Sequence, residues 1–177
     1  MNIHVTALPG RQQGVLRFGG EDFPCALGRS GIVTDKREGD GGTPVGSFAL
    51  RELFFRPDRL AKPATILASK PIAADDGWCD ASGDVAYNRP VKLPYPASAE
   101  TLWREDHLYD LIVPLGYNDD PVRPGAGSAI FFHLAKEDGS GLAATEGCVA
   151  LRLADMLHVL AHVTPETRMI VELASAA

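Results

Sequence analysis

Cysteine is scarce in this chain, with three among 177 residues, at positions 25, 79 and 148. None of them forms a Cys-x-x-Cys pair, which excludes a zinc knuckle and a thioredoxin-like dithiol, and the odd count leaves at least one thiol unpaired. Positive charge is also short. Seventeen Lys and Arg stand against 23 Asp and Glu, giving a net charge of -6 and a sequence pI near 5.3. Without a basic stripe there is no nucleic-acid or anionic-membrane surface, because both depend on clustered Lys and Arg. No run of about 18 apolar residues is present, so no membrane span is expected. The opening residues Met1 to Thr6 lack the basic region and apolar stretch of a secretory signal. Internal repeats and low-complexity tracts are missing too, and nothing in the sequence sets an oligomeric state. What remains, at 45% hydrophobic, is enough for one well-filled core and predicts a single domain over residues 1–177.

The punctuation is that of a mainly β protein. Residues 2–8 and 14–18 read as strands separated by Pro9-Gly10 and followed by Gly19-Gly20, and Phe23 to Leu27 reads as a third. A charged, glycine-rich loop covers Thr34 to Gly46, and Ser47 to Phe54 is apolar enough for a strand. Prolines at 57, 63, 71, 90, 94 and 96 make the middle irregular, with a strand fragment expected at Ala64 to Leu67. Trp78 and Tyr87, within that stretch, either line a cleft or pin the connection down. Ser98 to Trp103 predicts a helical turn capped by Ser98, and Tyr109 to Leu115 a strand. Apolar residues Leu153, Met156, Leu157 and Leu160 recur at helical spacing, predicting a helix from Leu153 to Ala161 that Thr164-Pro165 stops. Arg168 to Leu173 alternates as a final strand. This pattern fits a β-sandwich or barrel with one or two helices, and periodicity does not separate the two.

The chemistry concentrates between Phe131 and Arg152. Ile130, Phe132 and Leu134 alternate with Ala129, Phe131 and His133, so the histidine projects from the face opposite the aliphatic residues. A Gly-rich loop from Lys136 to Gly141 turns the chain, and Thr145-Glu146-Gly147-Cys148 follows. Gly147 permits a tight bend that presents Cys148 at a turn. A thiol reacts as its thiolate, and a neighbouring imidazole is the usual proton acceptor. His133, fifteen residues upstream, is the candidate base. The competing reading is a small buried hydrophobe in the run Cys-Val-Ala-Leu. Lys36 and Arg37 either meet an anionic substrate group or belong to a solvated connector. Arg152 either grips a carboxylate with its planar fork or sits on the surface at the helix start. His158 and His162 have metalloprotease spacing but lack the intervening Glu, so no metal site is expected.

At these residues the sequence resembles the L,D-transpeptidase (YkuD-domain) family of peptidoglycan enzymes. The family signature is a histidine followed, after a loop, by Ser/Thr-His-Gly-Cys, which His133, Thr145, Gly147 and Cys148 match. The segments Gly31 to Gly46, Tyr87-Asn88-Arg89 and Leu115-Gly116-Tyr117-Asn118 extend the likeness over most of the chain. Three positions depart from it: Glu146 replaces the second histidine, Leu134 stands where glycine often follows the first, and Ala150 stands where Asn or Arg is frequent. The resemblance implies a closed or nearly closed β domain acting on peptidoglycan stem peptides in the periplasm or cell envelope, with no cofactor. In that reading Cys148 attacks the diaminopimelate carbonyl of a stem tetrapeptide and expels D-alanine, with His133 shuttling the proton. The N-H groups of Cys148 and of Gly147 or Glu146 are expected to hold the oxyanion. Thr145, Glu146, Arg152, Tyr117, Asn118, Lys36 and Arg37 are the expected substrate contacts. An amine acceptor gives transpeptidation and water gives an L,D-carboxypeptidase, while a wall-binding module with an inert Cys148 is the non-catalytic alternative.

Overall fold

The computed structural model describes residues 1–139 and 141–175; position 140, inside the predicted 136–141 loop, lies outside them. The first half of the chain forms β1 (Ile3–Ala7), β2 (Gln13–Phe18), β3 (Glu21–Ala26), β4 (Ile32–Val33), β5 (Thr43–Pro44), β6 (Gly46–Ala49), β7 (Leu53–Phe55), β8 (Ser69–Pro71) and β9 (Asp76–Cys79). The second half forms β10 (Pro90–Lys92), β11 (Ala99–Thr101), β12 (Leu111–Pro114), β13 (Phe131–Leu134), β14 (Glu137–Asp138), β15 (Gly141–Leu142), β16 (Val149–Leu151), helix α1 (Leu153–His162) and β17 (Arg168–Leu173). Among the described residues no helix is long and apolar enough to cross a membrane.

Ten strands make one sheet in the order β6-β17-β1-β2-β3-β16-β13-β12-β7-β8. It curls on itself. Leu50, just past β6, bridges Leu115, just past β12, and Gly116 N-H donates to the Ala49 carbonyl. The sequence left sandwich and barrel open; the structure is a single curled sheet around its core. That core takes Val5, Leu16, Leu111, Phe132 and Leu151 from the strands and Met156, Val159 and Leu160 from α1. Burial of such side chains, at about 1.5–3 kcal/mol each, outweighs the weak capping of α1, whose first residue is preceded by Arg152 with no side-chain cap.

The opposite face of the central strands carries a second cluster of Phe54, Ile112, Phe131 and Cys148. A three-stranded sheet, β10-β9-β11, packs on it, with Trp78 edge-on to Phe131 at 5.2 Å between ring centroids. The predicted alternation around His133 holds. Ile130, Phe132 and Leu134 face the main core, while Phe131 faces the second cluster.

Three sequence expectations need correction. The helical turn at Ser98 to Trp103 is instead β11, because Ala99, Glu100 and Thr101 pair with Cys79, Trp78 and Gly77. Ladder pairing overrides the local cap signal. The strand fragment expected at Ala64 to Leu67 lies later, at Ser69–Pro71, where it pairs with β7. The strand expected from Ser47 to Phe54 divides into β6 and β7, which occupy separate places in the curled sheet. The helix and the first three strands fall within a residue or two of their predicted limits.

Candidate active site

Cys148 occupies the turn into β16. The preceding Gly147 has φ +135°, and a Cβ there would lie 2.8 Å from the Gly42 carbonyl oxygen and 3.3 Å from Ile130 Cδ1. Only glycine fits this approach. The turn is bracketed by Thr145, whose hydroxyl donates to the Cys148 carbonyl at 2.8 Å and accepts from Gly147 N-H at 3.1 Å. The thiol accepts from Phe131 N-H and donates to the Ala129 carbonyl, both at 3.3 Å. Burial, and next the charge of Glu100, push its pKa up to about 12; Phe131 N-H and Lys36 act the other way. Cys148 is therefore a neutral thiol at rest.

His133 lies on the neighbouring parallel strand β13, in register with Ala150. Cys148 precedes Ala150 by two residues and shares its face, placing the two Cα atoms roughly 8 Å apart from strand spacing and rise. His133 Nδ1 lies 2.8 Å from the Leu134 carbonyl. A carbonyl only accepts, so Nδ1 carries the proton and Nε2 is the basic nitrogen. Burial lowers the His133 pKa to about 4, against the opposing pull of the Leu134 carbonyl. Tyr109 packs edge-on against the imidazole at 5.3 Å. Burial thus favours the neutral form of both the Cys148 thiol and the His133 imidazole.

Both side chains open into a cavity of about 460 Å³. Of the predicted substrate contacts, Lys36, Thr145 and Glu146 line it. Lys36, almost fully enclosed, donates to Asp40 at 2.6 Å and presents the positive charge that favours the thiolate. A protein-family comparison matches residues 7–171 to the L,D-transpeptidase catalytic domain, YkuD. The chain belongs to this family. A structure comparison finds similarity to an L,D-transpeptidase from Mycobacterium smegmatis, with 13% identity and a TM-score of 0.42, covering 97% of this chain and 58% of that one. The chain thus spans less than two thirds of that protein's length. No curated protein matches.

Within this L,D-transpeptidase domain, four predicted contacts lie away from the cavity lining. Arg37 points to solvent and pairs with Asp35 at 2.8 Å. Arg152 pairs with Glu137 on the exposed surface at the start of α1. Tyr117 packs on Phe48 and donates to the Ala126 carbonyl at 2.5 Å, and the Asn118 amide donates to the carbonyls of Arg123 and Gly127. These two build the loop that delivers residues 127–129 to the thiol. Glu146, in place of the signature histidine, pairs with Arg29 at 2.8 Å and is largely exposed, which puts it on the rim.

Several residues of the L,D-transpeptidase site escaped the sequence reading. Asn88 accepts from Ala129 N-H and Trp78 Nε1-H, both at 3.0 Å, holding Ala129 at φ +51° with its carbonyl on the thiol. Glu38 accepts from Tyr87 at 2.5 Å and Ser128 at 2.7 Å, bracing the same segment. Trp78 and Tyr87 therefore pin the backbone beside the site. Asp80, Glu100, Arg104 and Tyr109 line the cavity. The likeness at Tyr87-Asn88-Arg89 was the one available signal for the first group; nothing local marked the second.

Proposed function

We propose that the chain is a cysteine acyltransferase of peptidoglycan, taking a stem tetrapeptide as acyl donor and an amine as acceptor. The reading rests on one observation: Cys148, directly before β16, and His133, on the adjacent parallel strand β13, line one cavity. Sγ attacks the carbonyl of the third stem residue as its proton passes to His133 Nε2. The negative oxygen needs backbone donors. Gly147 N-H is engaged by Thr145, so the N-H groups of Cys148 and Glu146 are the donors we assign to it. The intermediate collapses to a thioester, and His133 returns its proton to the departing D-alanine amine. Arg104 and Lys36, both lining the cavity, supply positive charge for substrate carboxylates. A neutral amine then attacks the thioester and gives an N-H proton to His133, which passes it to the departing thiolate.

Purified protein incubated with disaccharide-tetrapeptide tests the reading by intact mass. The expected adduct is donor minus alanine on Cys148, followed by crosslinked dimer, with neither from Cys148→Ala. Tripeptide without dimer would assign water as the acceptor, and absence of any adduct would refute the acyl-enzyme.

A further inference from the structure

The resting pair is neutral, and that leaves a proton unaccounted for when an amine is the acceptor. A primary amine arrives as an ammonium. His133 can take one N-H proton and pass it to the departing thiolate, but the ammonium carries one more that must leave before nitrogen can attack. A second base is required at the acceptor side.

The three-stranded sheet carries one. Glu100 pairs across β11 and β9 with Trp78, and Asp80 follows Trp78 by two residues, so all three share a face. Packing of Trp78 on Phe131 fixes that face toward the central strands. Glu100 and Asp80 accordingly line the same cavity as Cys148 and His133. Asp80 Oδ1 is enclosed and has no hydrogen-bond partner among the described residues. Glu100 Oε1 accepts from Tyr109 at 2.6 Å and lies 3.7 Å from Arg104.

Arg104 pairs with Glu100 only at 3.7 Å and, among the described residues, Asp80 Oδ1 is left without a donor. Lys36 is committed to Asp40, and Arg104 forms its close pair with Asp106 at 2.6 Å. Glu38, the other acid facing inward, is occupied by Tyr87 and Ser128. An enclosed acceptor without a donor beside a second carboxylate matches the hydrogen-bonding of an ammonium, which is all donor.

Resting on the acyl-transfer reading above, we infer that Asp80 and Glu100 form the subsite for the acceptor ammonium and that Glu100 is the base that takes its first proton. The ammonium donates to Asp80 Oδ1 and transfers one proton to the Glu100 carboxylate. The resulting amine attacks the thioester carbonyl, forming the C-N bond. Collapse breaks the C-S bond, and His133 carries the second N-H proton to the thiolate, while Glu100 releases the first to solvent. Burial raises the Glu100 pKa, bringing the carboxylate closer to the amine it must deprotonate.

The test uses full-length protein, disaccharide-tetrapeptide as donor and glycinamide as amine probe, with acyl-enzyme, glycinamide adduct and tripeptide followed separately. Glu100→Gln keeps an oxygen for Tyr109 and loses the base. Its acyl-enzyme is expected to form, while the ratio of amine transfer to hydrolysis near pH 6.5 drops about 100-fold. That deficit should shrink above about pH 8, where α-amino groups deprotonate unaided. Asp80→Asn should raise the glycinamide concentration for half-maximal transfer several-fold. Glu100→Asp, retaining a carboxylate, should recover most of the transfer and serves if the Gln variant folds poorly. An unchanged ratio in Glu100→Gln, or an equal and pH-independent fall of acylation and transfer, overturns the role of Glu100. Failure of the wild type to form any acyl-enzyme overturns the reading beneath it instead.

Discussion

The depressed pKa of His133 couples the base to the stability of the fold. Its folded pKa of about 4 lies below the ordinary value of 6.5 because burial disfavours the imidazolium. Between those two values the unfolded chain binds a proton that the folded chain refuses. The stabilisation from keeping His133 neutral is therefore complete above about pH 6.5, falls away as pH drops, and is exhausted below about pH 4. The difference of about 2.5 units corresponds to about 3 kcal/mol, a large share of the 5–15 kcal/mol typical of a domain. Carboxylates titrate in the same window, so the measurement is a difference. Urea unfolding of wild type and His133→Gln at pH 7, 5.5 and 4 should give curves that converge toward acid by about 3 kcal/mol, whatever their offset at pH 7. Parallel curves would show that the imidazole is as free to charge inside the fold as outside, and the neutral-pair mechanism would fall with it.

Iodoacetamide should label Cys148 slowly at pH 7 and much faster toward pH 10, since the buried thiol resists ionisation; rapid labelling at pH 7, read by mass spectrometry, would mean a preformed thiolate. Gly147→Ala should lose about 1–3 kcal/mol in denaturant melts and abolish acylation, because the new Cβ would press on the Gly42 carbonyl. Arg152→Lys should leave both the Michaelis constant and stability within about 0.5 kcal/mol of wild type, as befits an exposed ion pair; a tenfold rise in the constant would restore Arg152 to the site. Cys25→Ser should fold and turn over substrate but lose about 1–3 kcal/mol, since Cys25 is fully buried among apolar side chains.

The candidate thiol and base, and the strand alternation around His133, were legible because each is local: a period of two around His133, and Gly147 ahead of Cys148. The helix was legible for the same reason. The curl of the sheet was not, since the contact of Leu50 with Leu115 joins segments with no shared pattern. Ser98 misled because a side chain that caps helices also begins strands, and only the partner strand decides. Glu100 fell within the helical turn expected at Ser98 to Trp103 and Asp80 carried no local mark; their place in the cavity depends on Trp78 docking against Phe131. Arg152 and Arg37 had the right chemistry and proximity in sequence, yet their counter-ions Glu137 and Asp35 hold them elsewhere.

His133 sits on β13 and Cys148 directly precedes β16, and each of these strands is hydrogen-bonded to a neighbour on both edges. Such interior strands are expected to exchange their amide protons only when the domain opens globally, whereas the three-stranded sheet that carries Glu100 and leads into Asp80 is hydrogen-bonded separately from the large one. On the proposed reading, the thiol and the acceptor subsite are thereby carried by separate sheets. Under that reading, lengthening or redecorating the 76–101 segment would retune which nucleophile is admitted while leaving in place the strands that carry His133 and follow Cys148.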